Sequence, residues 1–515
     1  MNSVWNLLTG TATKYVLLAA SITIGIFLMP YTVRHLGTSE YGLWMLVASL
    51  TAYFSLLDLG YGNGLVRHVA DADARGDVAL VNQILSTFVV VYLGLGALVA
   101  VATGAMVVWV AHFPRLPPSQ VALARYIVAV VGIRIAIGFP MTVFGAVTTA
   151  RQRFALNNAV ATASAIVNAA VQFTLLARGY HLRPVVAGSV AVDLLTYIAY
   201  AWTARRAFPP LRLRLSSFDA SLVRDVTAFS LYLFLISIAG QIAFNLDNVV
   251  IGATLGTSAV AVYVVTQRLA ETQRNLSNQF NGLMFPVVVR YGATDDLDAL
   301  RRMLVEGTRL SLTLACGLTV CLIGFARPLI TRWMGPGFEG AVAPLYVLAV
   351  TGVVLIGQGP LGNILIATGR HRLVAYVSLA EAIVNLALSI VLVRRFGLLG
   401  VAVGTAIPLI VANVFVLAPA VCRQLDITLS EFVRAVALAP MTGVVVSSVG
   451  VWAIRTMWPP QSLPAIIGEG AVVGVLYLAS LWTLGLDRSL RANYSAFGRQ
   501  LVTIAMQRRT PAPLV

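Results

Sequence analysis

The sequence predicts an all-α polytopic membrane protein of about fourteen transmembrane helices, built as two parallel six-helix lobes with two extra C-terminal helices. Three observations carry this. The first is composition: 58% of the 515 residues are hydrophobic and only 11% charged, with a mean hydropathy of +0.85. A soluble domain carries roughly 25% charged residues, so the bilayer must be the main solvent of this chain. The second is recurrence: apolar runs of about 20 residues, enough to cross a bilayer, follow one another along the whole length, which one signal peptide or anchor does not explain. The third is a repeat. LGTS stands at 36–39 and 255–258, NGL at 63–65 and 281–283, TARQRF at 149–154 against TGRHRL at 368–373, and AIVN at 165–168 and 382–385. The order is kept and the spacing nearly constant, which marks an internal duplication.

The helices follow in order. The first half holds segments 10–33, 41–65, 82–111, 121–147, 156–177 and 185–204. The second holds 227–252, 259–289, 304–329, 340–367, 373–393 and 398–421. Nearly all reach bilayer length; the long third and eighth project from the membrane or tilt. Pro30, Pro140, Pro286 and Pro360 lie within or near the ends of segments, as kinks that membrane helices tolerate. Two segments, 432–454 and 463–485, fall outside the duplication. The domain reading is therefore residues 1–207, a cytoplasmic amphipathic linker 208–226, residues 227–425, and a C-terminal piece 426–515. An even number of helices per half makes both halves enter from the same side, as parallel repeats.

Charge sets the orientation. The net charge of +16 does not indicate nucleic acid, because no basic block exceeds a few residues and no polar aromatic surface accompanies one. With a cytoplasmic N-terminus, basic residues outside the spans favour the cytoplasmic side by more than two to one, as the positive-inside rule requires. In the segment 204–225 that joins the halves, Arg205, Arg206, Arg212 and Arg214 suit anionic headgroups. The outer loops are too short for a separate catalytic or binding domain.

The eighth segment, VVTQRLAETQRNLSNQFNGL at 264–283, carries the chemistry. On a helix, Arg268, Glu271, Arg274, Asn275 and Asn278 fall on one polar face and Leu269, Leu276, Phe280 and Leu283 on the other. Each charge at the centre of a lipid-exposed helix costs about 3 kcal/mol, so the polar face turns to protein or to water. Two readings are open: a closed cluster in which Glu271 bridges one arginine a turn away, or a water-filled cavity that attracts an anion. Thr51, Ser55 and Asp58 share a face in the second segment, and Ser237, Gln241, Asn245 and Asn248 in the seventh, where Asp247 points away from that stripe. Arg134, Asp193 and Glu381 are further intramembrane charges. Asp247 or Asp58 suits a coupling proton; the alternative for each is a salt bridge or hydrogen bond that pins two helices.

The sequence contains no HExxH, Walker A or CxxC pattern, and its five histidines have no metal-ligand spacing. Cys316, Cys321 and Cys422 form no disulfide framework. No enzyme, metal or cofactor is therefore expected.

RHLGTSEYGLW after the first segment, LLDLGYGNGLVRHVA closing the second, and NLDNVVIGATLGTSAVAVYVV across the seventh and eighth resemble bacterial polysaccharide-export flippases. These form the Wzx-type branch of the multidrug/oligosaccharidyl-lipid/polysaccharide exporter superfamily. The resemblance covers almost the whole chain. It implies twelve core helices around a central V-shaped cavity in the bacterial inner membrane, with both termini cytoplasmic. It also implies alternating access for an undecaprenyl-diphosphate-linked oligosaccharide, with membrane lipids, a polysaccharide polymerase and assembly proteins as partners. Carried over by motif, Arg34 and Arg67 are substrate-contacting and Asp247 is the acidic residue of the seventh helix. Periodicity adds Arg268, Arg274, Arg134, Asn275 and Asn278 for the diphosphate, and Asp58, Glu271 and Glu381 for coupling or gating. The rivals are a drug or organic-cation antiporter, whose cavity should be carboxylate-rich, a membrane-embedded polymerase or glycosyltransferase, which needs catalytic acids, and a non-transporting scaffold, whose eighth-helix charges should all be paired.

Overall fold

The computed structural model describes residues 2–294, 296–486 and 491. Every regular element among them is helical. Ten helical stretches there are long and apolar enough to cross a membrane, and the chain is an all-α polytopic membrane protein. Two of the ten are 50 and 54 residues long, or about 75–80 Å at 1.5 Å per residue, against a hydrocarbon core of about 30 Å.

The first of these, Thr9–Asp58, takes in α1 (Asn2–Ala52) from Thr9 on, broken at Gly37, and a 3₁₀ turn, Tyr53–Asp58. The sequence reading ran the second helix on to residue 65. The chain instead reverses at Leu59 and Gly60, both with positive φ, and α2 (Tyr61–Ala74) starts afresh. Apolar periodicity passes unchanged across so short a reversal, and a leucine at φ 52° carries no turn signal. Then come α3 (Val78–Trp109), α4 (Pro118–Ala150), α5 (Phe154–Ala177) and α6 (Leu182–Ala207).

After α6 the chain is laid as an extended strap along α3. Asn82 donates to the Pro210 carbonyl and accepts from Arg212 N, Ser86 accepts from Arg214 N, and Thr87 accepts from Asp219 N. Alternation in the strap turns Leu211 and Leu213 onto the core under α3 and leaves Arg212 and Arg214 exposed.

The helices α7 (Ala220–Leu255), α8 (Thr257–Ala293) and α9 (Leu297–Trp333) follow. The tenth predicted segment is two helices, α10 (Val342–Gly357) and α11 (Gly359–Ala367), with Pro360 in the first turn of α11, where its missing N–H costs nothing. The eleventh and twelfth predicted segments join in α12 (His371–Ile410), broken at Gly397. A π-helical stretch, Val411–Leu417, leads into α13 (Ala418–Gln424), then α14 (Leu429–Met457) and α15 (Leu463–Ser480). Thr428 and Glu431 form a capping box on α14, which satisfies two otherwise orphan donors at its start.

The chain divides into two compact units. One comprises Met1–Arg268 with His371–Pro408, the other Leu269–Arg370 with Leu409–Val515. In the first, Phe88 and Tyr92 of α3 pack with Leu65 of α2 and Val143 of α4, and a second cluster gathers Leu43, Ile127 and Leu182. In the second unit, Val320 and Phe325 of α9 meet Val451 of α14 and Val473 of α15.

The two LGTS copies make the same turn. Gly37 and Gly256 have φ of 76° and 93° with extended ψ, a conformation open to glycine and costly for other residues. Each ends one helix and starts the next. The copies also touch: Ser39 Oγ lies 3.4 Å from Thr257 Oγ1, and Gln120 reaches both.

Close approach between α3 and α4 depends on one proline. Pro140 has no N–H to offer the Ala136 carbonyl four residues back. Gly96 of α3 lies against that oxygen: a Cβ at Gly96 would sit 2.5 Å from it. Gly96→Ala is therefore expected to destabilise the protein by about 1–3 kcal/mol through overpacking, seen as a lower thermal midpoint in detergent. Gly94→Ala, where a Cβ meets nothing within 4 Å, should leave the midpoint unchanged or raise it.

Candidate functional site

Among the described residues, four separate places gather the polar groups that bear on the site. The first is the polar face of α8. Arg268 is exposed, and its guanidinium lies against α1 at Gly25, where a Cβ would stand 2.8 Å from Nη2. Tyr41 is within reach of its charge. Arg274 is half-buried with the Glu271 carboxylate acting on it, and Asn275 is exposed. The Asn278 side chain lies outside the described residues, as do those of Ser237 and Pro286. On the opposite side of α8, Gln273 is 2% exposed. It donates to Thr319 Oγ1 at 2.6 Å and lies 3.3 Å from the Ala349 carbonyl. This amide anchors α8 to α9 and α10, and sequence periodicity had assigned its side of the helix to apolar packing.

The second place is Asp247 on α7, 4% exposed. Tyr263 of α8 donates to its Oδ2 at 2.8 Å. Thr405 of α12 lies 3.1 and 3.3 Å from its two oxygens, and also 3.4 Å from Asn385 Oδ1 and 3.2 Å from the Val401 carbonyl. Ser389 points at Asn385 Oδ1 from 3.0 Å. Thr405 has one hydroxyl proton and four acceptor oxygens around it. Hydroxyls donate hydrogen bonds but bring no positive charge, so this converging set of oxygens from α7, α8 and α12 favours a cation or a proton. Among the described residues no group of three or more His, Cys, Asp or Glu has metal-binding proximity.

The third place is an ion pair, Arg134 Nη1 to Asp193 Oδ2 at 3.3 Å, midway along α4 and α6. The fourth is Asp58, which accepts from Tyr92 OH at 2.9 Å and from Gly62 N at 3.2 Å. That ties the end of the 3₁₀ turn to α3 and starts α2. Glu381 is half-buried on α12, and Arg34 and Arg67 are exposed on α1 and α2. Asp58, Arg134 and Asp247 thus belong to three different clusters. The seventh-helix stripe is used for docking onto the helix that follows Gly37: Asn248 donates to Ser49, and Gln241 to Ser55 and the Ala52 carbonyl.

Tyr263, Thr405 and Asn385 escaped the sequence reading. Asn385 and Thr405 share α12 across its Gly397 break, far along the chain from Asp247, so no local spacing announces them. A polar residue type inside an apolar run was the available signal, and all three carry it.

The comparisons with known proteins agree with one another. The family described as "Polysaccharide biosynthesis protein" matches residues 10–291. The chain is 21% identical over 464 residues to "Uncharacterized membrane protein EpsK" of Bacillus subtilis (strain 168), which covers 89% of this chain and 91% of that one. It is 21% identical over 419 residues to the "Putative O-antigen transporter" of Shigella flexneri, covering 79% and 94%. Its fold is similar to that of the lipid II flippase MurJ in an inward closed conformation, with a TM-score of 0.68 at 14% identity over 96% of this chain and all of that one.

Removing the hydroxyl from Tyr263 takes away the shortest hydrogen bond to the buried Asp247 Oδ2 and leaves it to Thr405, whose one proton has other acceptors around it. Tyr263→Phe is expected to cost about 1–3 kcal/mol, read as a lower thermal midpoint of the purified protein. Tyr31→Phe, in the first unit and outside this cluster, should not lower it.

Proposed function

The chain belongs to the polysaccharide biosynthesis protein family, and from that premise we propose that it is a flippase for an undecaprenyl-diphosphate-linked oligosaccharide. It carries this cargo from the cytoplasmic to the outer leaflet of the bacterial inner membrane. The observation that carries the reading is the exposed guanidinium of Arg268, seated against Gly25 on a helix of membrane-spanning length. Crossing about 30 Å of hydrocarbon requires that the water around a diphosphate be replaced by donors and cations. Arginine does this with two parallel bonds to phosphate oxygens. A drug or organic-cation antiporter has no use for an arginine in that position. The names of similar proteins, an O-antigen transporter and a lipid II flippase, support the same cargo class.

In this reading the 50- and 54-residue stretches each cross twice at their glycine breaks, and α7 and α8 cross as well, giving fourteen crossings with both termini cytoplasmic. Arg268, Arg274, Arg34 and Arg67 meet the diphosphate, with Asn275 and Asn278 as neutral donors. Arg134 serves the cargo as well. Asp247 holds the coupling cation, and Glu271, Asp58 and Glu381 gate. Polymerase and assembly proteins receive the product.

Deletion of the gene and complementation test this. Arg268→Ala should lower surface polysaccharide by about 10-fold or more, the equivalent of one charge-assisted phosphate contact, with the protein still present in membranes. Normal export from Arg268→Ala would remove it from the site. Asp247→Asn should abolish export while leaving cargo binding measurable.

Alternating access requires one end of the helix pairs to open and close, and the touching LGTS turns mark that end. A Ser39→Cys, Thr257→Cys double variant should form a disulfide under mild oxidant and stop export, and reductant should restore it. Full export by the cross-linked protein would show that these turns stay together throughout the cycle.

A further inference from the structure

A cavity of about 350 Å³ opens in the first unit between α1, α4, α5 and α6. Its lining includes Trp44, Arg134, Asn168, Gln172, Ser189 and Asp193. Ligand pockets begin near this size, at about 300 Å³. Arg134 and Asp193 stand at mid-membrane on their helices, yet each side chain is 30% exposed. Exposure to hydrocarbon there would cost about 3 kcal/mol per charge, so the cavity holds water or a polar ligand.

Its chemistry is not that of an anion site. The two charges on its wall cancel, and Tyr197 adds a hydroxyl beside Arg134 but no charge. A diphosphate therefore meets no net attraction. What the wall offers is directional and neutral. Gln172 Nε2 donates to Asn168 Oδ1 at 2.6 Å and lies 3.2 Å from Ser189 Oγ. The Asn168 amide donors and the Gln172 carbonyl oxygen take no part in those two bonds. A carboxylate and a guanidinium held in fixed register offer an acceptor and a donor to adjacent hydroxyls. An indole beside them offers a face for the C–H side of a pyranose ring. A hydroxyl-bearing ring satisfies such a mixed wall; an apolar drug leaves it unpaired.

We propose that this cavity is a carbohydrate subsite, in which Asn168, Gln172, Ser189 and the Arg134–Asp193 pair hydrogen-bond a sugar residue of the cargo against Trp44. The proposal rests on the flippase reading and divides the labour within it: Arg134 serves the sugar, and the α8 arginines serve the diphosphate.

The test uses the purified full-length protein in detergent and oligosaccharides released from the host's own surface polysaccharide. Wild-type tryptophan emission should change on titration, and Trp44→Phe should remove most of that change. Asn168→Ala/Gln172→Ala should weaken binding by 10-fold or more. Gln172→Glu, which keeps size and shape, provides a second variant should the double one unfold, and it should weaken binding as well. Inorganic pyrophosphate should not displace the sugar. Absence of oligosaccharide binding at millimolar concentration, equal binding by the folded variants, or displacement by pyrophosphate overturns the subsite. The flippase reading fails by a different result, undiminished surface polysaccharide when the gene is deleted, so the two failures are distinguishable.

Discussion

A charge in hydrocarbon has no water to solvate it, and the arrangement of this protein's interior follows from that constraint. Each intramembrane charge costs on the order of 3 kcal/mol if left facing lipid, and a buried neutral polar group needs a hydrogen-bond partner. The fold meets this in three ways. Arg134 and Asp193 neutralise each other. Asp58 and Gln273 are held by neutral partners, Tyr92 and Thr319. Asp247 is held by the hydroxyls of Tyr263 and Thr405, which satisfy its oxygens without cancelling its charge. A helix carrying such groups can be oriented in one rotation only, since any other would turn them to lipid. The same groups that fix the helices therefore fix where polar cargo and ions can go.

The fold was legible because the signal behind it is coarse and repeated. Apolar runs of bilayer length name the helices. The breaks inside helices were less legible. Gly37 and Gly256 were findable, because a glycine in a repeated LGTS needs a reason and positive φ supplies it. Leu59 was not, since leucine in a left-handed turn is decided by tertiary context, here the Asp58 carboxylate that caps Gly62 and binds Tyr92. At the site, wheel geometry separated Asp247 from the Gln241, Asn245 and Asn248 stripe, and the structure sends them to different helices. It gave no hint of Tyr263, Thr405 and Asn385 as partners, because those contacts join positions far apart in sequence. Arg134 and Asp193 were each visible as odd charges. Their pairing needed the packing of α4 on α6.

The strap after α6 illustrates how an apparent linker acquires a fixed path with no more regular structure than one short 3₁₀ turn, Leu215–Ser217. An extended chain alternates its side chains, and residues 211–214 use the alternation: Leu211 and Leu213 toward α3, Arg212 and Arg214 away. Its backbone hydrogen bonds go to Asn82, Ser86 and Thr87 on one face of α3. Buried or half-buried backbone groups need partners, and side chains on a neighbouring helix provide them as well as a sheet would. The segment between α6 and α7 is thereby held to α3, and α7 begins from a fixed point, its first turn capped by Asp219.

Coupling of ion to cargo, in the proposed reading, has a short mechanical route. Tyr263, bonded to Asp247, and Arg268, seated on Gly25, are five residues apart on one continuous helix, about 7.5 Å along its axis. A helix of that length transmits a tilt or a shift without bending. A cation that enters the Asp247 oxygens draws them together and so changes where Tyr263 must stand, and with it the guanidinium one and a half turns on. The converse holds with equal strength, because a coupling free energy between two sites is reciprocal: cargo that draws Arg268 away from Gly25 must alter the affinity of the Asp247 cluster. The chain passes from one compact unit to the other between Arg268 and Leu269, so in the proposed reading the residue that meets the diphosphate closes the first segment of the unit that holds the ion. An exporter that joins both events on one helix at that boundary needs no longer pathway between them.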